Sequence, residues 1–432
     1  MTGIDFSRRR LGQAVGAGAA LSMLGACATP SQPVAQKKLG RVLVVGGGFG
    51  GATAAKYLRL WSQGSIEVTL IERNLSFISC PLSNLVISGD LVITELIRTY
   101  EGLKKHGVRV VLGEVTAVDT ERRQVRLASG DSIGYDRAIV APGVDFMFDT
   151  IPGLTREISE TRILHAFKAG PQTVGLRRQV EEMPDGGVFA ICVPKVPYRC
   201  PPAPYERATL VAHYFKNNKP KSKVLILDAN EDVVSKKGLF MKVWSENYMG
   251  IVEYRKEQNI TGLDAATRTV KFDFGDPVKA DVLNIIPPQM AGALARTAGL
   301  VNQNNRWCGV DWLSLESTAA KNIHVIGDST FPAPGMPKSG HMANQQAKVA
   351  AAAIINLMSG QPPSDQPLVM NTCYSLIDPK KAVHVAGVYG FDAKEKTFKS
   401  TQGSGGVSAE PSELEGKFAY AWAKNIWADT LN

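Results

Sequence analysis

No C-x-x-C-H occurs in the 432 residues, so the chain has no site at which a haem could be attached through paired thioethers. Its six histidines stand singly, none at the spacing of metal ligands, which leaves no metal centre to propose. Lys and Arg never cluster with interleaved aromatics. The formal charge of +9 is therefore diffuse, and nucleic acid is excluded as a partner. A diffuse positive field suits the steering of an acidic protein or an anionic substrate. Apolar runs are short as well. The N-terminal one, Leu11 to Ala26, is broken by Gln13 and Ser22 and falls below the roughly 20 residues of a membrane span, so no span is expected in the mature chain. Internal repeats are absent.

What the chain does hold is Arg41-Val42-Leu43-Val44-Val45, a β-branched run entering G-x-G-x-x-G at Gly46, Gly48 and Gly51 and then an Ala-rich helix, Ala52 to Leu58. Strand, glycine turn and helix in this order make a dinucleotide-binding unit. The glycines allow the tight turn and let backbone amides reach a pyrophosphate at the helix N-terminus. Glu72, closing the next apolar strand (Ile66 to Glu72), stands where an acid accepts from a ribose hydroxyl.

Ahead of this unit, Ser7-Arg8-Arg9-Arg10-Leu11 precedes the apolar run and resembles a twin-arginine export signal over residues 1–28. Such a route carries folded cargo, which fits a protein that takes up FAD before export to a periplasm. Ala26-Cys27-Ala28 reads as a cleavage site, and Leu24-Gly25-Ala26-Cys27 equally as a lipobox that would anchor a lipid at Cys27. The segment carries three Arg and one Asp, so the remainder holds +7. Residues 29–38 read as a disordered Pro/Gln linker.

The fold class expected is α/β, with two dinucleotide-binding-type domains and a small C-terminal interface segment. Residues 39–150 and 285–360 form the FAD-binding domain, 151–284 a second Rossmann-like domain, and 361–432 the C-terminal segment. Within the first, Val108–Leu112, Val115–Asp119 and Gln124–Ala128 read as a small meander. In the second, the strand ending at Val193-Pro194 should enter another glycine fingerprint. It meets Cys200-Pro201-Pro202-Ala203-Pro204 instead, so the fold is kept and the nicotinamide nucleotide lost. The chain returns to the first domain at Val282–Gln289. Asp328, ending a buried strand, is placed to hold a ribityl hydroxyl. Ser339-Gly340 caps a helix from His341 to Leu357, whose N-terminus, with Lys338 beside it, would stabilise negative charge on a reduced flavin. For Lys338 a solvated loop position is the alternative. Phe418, Trp422 and Ile426 share one helical face and read as a core stripe, a membrane-surface helix being the alternative, and Trp422 is also a candidate cofactor contact.

Beyond Cys27 there are five cysteines, an odd number that leaves one thiol free or bonded elsewhere. Cys192 sits mid-strand and reads as core. Cys80 lies in a loop past the second strand, where a thiol can meet the cofactor or simply pack. With Cys80 set aside, Cys200 and Cys373 are the pair an oxidising compartment would join.

Val44-Val45-Gly46-Gly47-Gly48, Ser79-Cys80-Pro81-Leu82-Ser83-Asn84, Cys200-Pro201-Pro202-Ala203-Pro204-Tyr205-Glu206-Arg207, Met336-Pro337-Lys338-Ser339-Gly340, Asn371-Thr372-Cys373-Tyr374-Ser375 and the tail around Trp422 carry a resemblance covering nearly the whole mature chain. It resembles the flavoprotein subunit of flavocytochrome c sulfide dehydrogenase, a relative of sulfide:quinone oxidoreductases, which implies that the two domains have the glutathione-reductase-like fold. The resemblance implies FAD joined by a thioether to Cys80, and a redox disulfide of Cys200 and Cys373 over the flavin. It further implies oxidation of a small inorganic sulfur substrate, with electrons passed to a c-type cytochrome subunit. Glu206, six residues from Cys200, is the candidate for proton handling; a solvated first-turn carboxylate is the alternative. A sulfide:quinone oxidoreductase, or a non-catalytic FAD-binding electron-transfer protein, would share many of these features.

Overall fold

The computed structural model describes residues 38–432, so the expected export signal and nearly all of the linker lie outside the described residues. β1 (Gly40–Val45) has four consecutive buried residues, as a strand covered on both faces requires. It turns through the glycines into α1 (Phe49–Trp61), and β2 (Ile66–Glu72), β3 (Arg109–Leu112) and β4 (Arg137–Val140) follow. The chain then builds β5 (Val188–Val193), α2 (Ala203–Asn218), β6 (Lys223–Asp228), α3 (Lys237–Asn247), β7 (Val252–Arg255) and β8 (Val282–Ile285). β9 (Ile323–Val325), α4 (Gly340–Met358), β10 (Leu368–Leu376), β11 (Ala382–Asp392) and α5 (Glu413–Leu431) complete it.

The first sheet runs β9-β4-β1-β2-β3, all parallel. From β1 the chain goes first to β2 and β3 on one side, then to β4 and β9 on the other. The strand order thus reverses at β1, and a crevice opens at its carboxyl end, beside Gly46. The second sheet, β7-β6-β5-β8, is also parallel.

Two expected assignments are corrected here. Arg109–Leu112 is no part of a meander: it pairs with Thr69–Glu72 at the edge of the first sheet, and the meander is Val115–Asp119, Gln124–Leu127 and Ser132–Gly134. Val282–Ile285 does not return the chain to the first sheet. All four residues are buried and pair with Phe189–Cys192, so the return comes only after Pro287-Pro288.

α1 and α4 pack closely because both present small residues. Gly50, Gly51, Ala52, Ala54 and Ala55 are buried on one, Ala343, Ala347, Ala350 and Ala351 on the other. Ser339 caps α4, its Oγ accepting from Met342 N–H at 2.9 Å. The end of α5 docks on this pair: Lys56 Nζ donates to the carbonyls of Ala428 and Asp429 at 3.1 and 2.9 Å, a cation at a helix C-terminus. Asn344 and Lys348 of α4 reach Asp429 at 2.7 and 2.8 Å. The last helix therefore holds the first and the fourth together, over the crevice.

Candidate active site

A cavity of about 1210 Å³ opens at the carboxyl end of β1, larger than the roughly 300–1000 Å³ of most small-ligand sites. Its floor is the glycine turn. Gly46 has φ +100°, and a Cβ there would stand 2.4 Å from Ala141 O; one on Gly51 would stand 1.8 Å from Gly46 O. These two are glycines for the sake of the turn. Gly48 differs: its backbone is extended and a Cβ would meet nothing within 4 Å, so its missing side chain leaves space in the cavity. The first intrahelical bond of α1 is Ala52 N–H to Gly48 O, so the amides before it have no partner within the helix, and no acidic residue stands in the first turn. This is an anion cradle.

Three cysteines line the same cavity. Cys80 follows buried Ser79, whose Oγ accepts from Trp427 Nε1 of α5 at 2.7 Å, and Arg199 Nη2 stands 3.3 Å from its Sγ. Cys200 precedes α2 in the left-handed region (φ +51°), a conformation costing a non-glycine residue about 1–3 kcal/mol, and its N–H donates to Lys338 O at 2.7 Å. Cys373 is on the inward face of β10 with Val369, Asn371 and Ser375, and Asn371 Nδ2 lies 3.2 Å from its Sγ. All three are free thiols, as are Cys192 and Cys308. Burial pushes the Cys200 thiol well up, and Cys373, Glu206 and Cys80 push it further. Burial raises Cys373 too, against the pull of Lys236 and Asn371.

A family model for "Sulfide dehydrogenase [flavocytochrome c] flavoprotein chain, central" matches residues 173–287, and "Flavocytochrome c sulphide dehydrogenase, flavin-binding" matches 365–431. "Pyridine nucleotide-disulphide oxidoreductase" matches 40–174. The sulfide dehydrogenase flavoprotein chain of Chlorobaculum thiosulfatiphilum is 61% identical over 46 residues, 94% of that sequence and 11% of this one. The chain belongs to the flavocytochrome c sulfide dehydrogenase flavoprotein family. This flavoprotein is also 22% identical over 371 residues to the mitochondrial sulfide:quinone oxidoreductase of Dictyostelium discoideum, covering 83% of this chain and 80% of that one. Its fold matches the sulfide:quinone oxidoreductase of Aquifex aeolicus with a TM-score of 0.73 at 19% identity, over 90% and 91% of the two chains.

Membership makes the flavoprotein an FAD-dependent oxidoreductase, and its residues fit that cofactor. Besides the cradle, buried Asp328 Oδ1 has no hydrogen-bond partner among the described residues and Asp328 lines the cavity, an acceptor awaiting a hydroxyl. Glu72 lines it too, but braces the turn first. Its Oε2 accepts from Gly47 N–H at 2.6 Å and its Oε1 from Asn74 N–H and Nδ2 at 2.9 and 2.7 Å, leaving one acceptor site on Oε2 for a ribose. Ser339, Gly340 and His341 bring the α4 N-terminus to the wall. His341, pushed down to about 4 by burial, is neutral there and accepts from Thr372 N–H.

Lys338 is corrected. It is buried, not solvated, and its amine turns from the cavity to donate to Asp328 O at 3.0 Å and to Thr330 O, 3.8 Å over the Trp307 ring. Burial lowers it to about 7. Its task is to fix the Asp328 turn. The aromatic stripe of α5 is corrected as well: Trp422 lines the cavity, near His341 and Tyr374, and Ile426 is buried, but Phe418 is 48% exposed. The buried side runs through Ala419, Ala423 and Trp427, one residue round from the expected line, and of that line only Ile426 is buried.

Glu206 is only 9% exposed and lines the cavity, so the solvated alternative is discarded. Burial raises its carboxyl, opposed by Lys236, Leu376 N–H and Arg207. Sequence reasoning missed three cations at this site, two of them acting on Glu206. Arg207, lowered to about 10 by burial, donates to Asn84 Oδ1, Asn284 Oδ1, His165 O and Ala166 O, at 2.7–3.1 Å. Arg199 and Lys236 are the others. Only the neighbourhood of Cys200 hinted at the two arginines; nothing announced Lys236. In the second domain, Asp228 ends β6 where a nucleotide-binding acid would stand, but it is fully buried under Tyr205 Oη (2.6 Å), Tyr254 Oη (3.2 Å) and Asn230.

Proposed function

We propose that this flavoprotein oxidises hydrosulfide to sulfur or polysulfide, using FAD held through a Cys80 thioether and a Cys200–Cys373 redox disulfide. It passes the electrons to a c-type cytochrome subunit. The observation that carries the reading is the convergence of Cys80, Cys200 and Cys373, 120 and 173 positions apart, on the wall of one cavity that also holds the anion cradle. Core cysteines have no reason to share a wall.

FAD, when bound, supplies a two-electron acceptor that can release electrons singly. The chain's own residues do the rest. Cys200 and Cys373 line one cavity and interact across it; in the disulfide proposed here an incoming hydrosulfide breaks the bond between them, leaving a persulfide and a thiolate. Glu206, its carboxyl raised by burial, can hold a proton near neutral pH at that place. Asn371 Nδ2 donates to the Cys373 sulfur.

Cys200→Ser and Cys373→Ser should each lower sulfide-dependent cytochrome c reduction per bound flavin by orders of magnitude, with flavin content unchanged. Loss of a disulfide can cost about 2–4 kcal/mol, so rates belong well below the melting point. Turnover within a few-fold of the parent would sink the redox role. The likeness to sulfide:quinone oxidoreductases favours a quinone acceptor as the second reading. Reduction of a soluble quinone in preference to cytochrome c, without detergent, would select it. Export to the periplasm follows the Arg8-Arg9 pair: replacing both by Lys should strand a flavin-loaded precursor in the cytoplasm, and continued export would refute that route.

A further inference from the structure

Lys236 belongs to no motif. It is 7% exposed and sits at the start of α3 in the left-handed region, φ +55°. Its Nζ donates to Cys373 O at 3.0 Å and Ser375 Oγ at 2.7 Å, both neutral acceptors on β10. The charged and titratable groups that face it come from three elements: Cys373 on β10, Glu206 with Cys200 on and before α2, and Glu415 on α5. Burying an ammonium against neutral acceptors costs several kcal/mol, and that cost falls when a negative partner forms beside it. In this cavity the partner that forms is a thiolate.

We propose, resting on the disulfide reading above, that Lys236 is the positioning residue that holds Cys373 as the departing thiolate and so directs hydrosulfide to Cys200. The step is HS⁻ plus Cys200–S–S–Cys373 giving Cys200–S–SH plus ⁻S–Cys373. One S–S bond forms and one breaks; hydrosulfide brings the electron pair, Cys373 leaves with one, and the proton stays on the terminal sulfur. The two sulfurs are not equivalent. Cys373 has Asn371 Nδ2 at 3.2 Å and the Lys236 ammonium against its own carbonyl. Cys200 has no hydrogen-bond donor on its sulfur among the described residues; Arg199, Arg207 and Lys236 all act in its favour, but Arg199 is committed to Cys80 Sγ and Phe167 O, and Arg207 to Asn84, Asn284 and the carbonyls of His165 and Ala166. The thiol whose anion is better stabilised is the better leaving group, so attack falls on the other sulfur.

A purely structural lysine, tying α3 to β10, is the alternative. The test uses the reduced, full-length flavoprotein, alkylated with iodoacetamide across a pH series and mapped peptide by peptide. Lys236→Gln keeps hydrogen-bond donors but removes the charge; Lys236→Met removes both. In each, Cys373 alkylation near neutral pH should fall by about tenfold or more and its midpoint rise by about one pH unit or more, while Cys200 changes little. Lys236→Arg should restore most of the Cys373 rate. In a second arm, the oxidised protein receives an anaerobic pulse of sulfide and is quenched by alkylation. The persulfide should lie on the Cys200 peptide. An unchanged Cys373 profile in flavin-loaded Lys236→Gln, or a persulfide on Cys373, overturns the proposal. If sulfide fails to bleach the parent's flavin, the disulfide reading falls instead, and the alkylation profiles still decide whether Lys236 stabilises the thiolate.

Discussion

Gly48 and Gly51 are two glycines of one motif that should fail in opposite ways. Gly48 has φ −70° and ψ −172°, a conformation alanine adopts freely, and a Cβ there would meet nothing within 4 Å. Gly48→Ala should leave the apoprotein as stable as the parent, or more stable by up to about 0.4–1 kcal/mol through the unfolded chain. The added methyl would stand in the space where a pyrophosphate approaches the amides of α1. A hydrogen bond from an amide to a charged oxygen is worth about 1.5–3 kcal/mol, so displacing one should weaken FAD binding roughly 10- to 150-fold. Gly51→Ala puts its Cβ 1.8 Å from Gly46 O, an overlap with backbone that only a shift of the turn relieves. It should cost the apoprotein stability, at or above the upper end of the about 1–3 kcal/mol of ordinary overpacking. The assay is thermal melting of each apoprotein, then FAD titration by flavin fluorescence, both in a Cys80→Ala background so that covalent attachment does not mask affinity. A Gly48→Ala protein that melts with the parent and binds FAD with the parent's affinity would refute the cradle.

Two further outcomes are expected. The unmutated protein should keep its flavin through trichloroacetic acid precipitation and Cys80→Ala should release it; release from the parent would refute the thioether. Glu206 is raised by burial above its ordinary 4.5, so between 4.5 and that raised value the folded apoprotein holds a proton the unfolded chain has lost. Its contribution to stability is therefore complete below 4.5 and is lost as pH rises through the folded value. Glu206→Gln should gain on the parent in urea midpoint across that window. Parallel curves would show that Glu206 titrates normally.

The nucleotide turn was legible because Gly46, Gly48, Gly51 and Glu72 do their work within one β-turn-α-β unit, where spacing alone sets position. Cys80, Cys200 and Cys373 could be singled out by count and by the prolines around Cys200, but their meeting on one wall depends on two sheets and on β10. Lys338 was misjudged because the carbonyls it seeks, on Asp328 and Thr330, are brought to it by a turn ten residues upstream. Phe418 was misjudged for a different reason. Helical spacing gives a stripe's period, but the docking of α5 on α1 and α4 decides which side of the helix is covered. Lys236 was invisible since its partners, the Cys373 carbonyl and the Ser375 hydroxyl, are distant in sequence, and the carbonyls that anchor Arg207, on His165 and Ala166, are distant too.

The order β9-β4-β1-β2-β3 also imposes an order in time. As the chain leaves the ribosome, β4 is the open edge of its sheet until β9 emerges about 180 residues later, a wait on the order of 10–40 s at ordinary elongation rates. Throughout that interval α1 lacks its α4 neighbour, and a parallel edge of buried residues stands ready to pair with another chain. The cavity wall then waits for Cys373 and Trp422, which follow β9 and α4 in the chain. The full cofactor cavity thus exists only once β10 and α5 have joined the nucleotide turn, and not when that turn first forms.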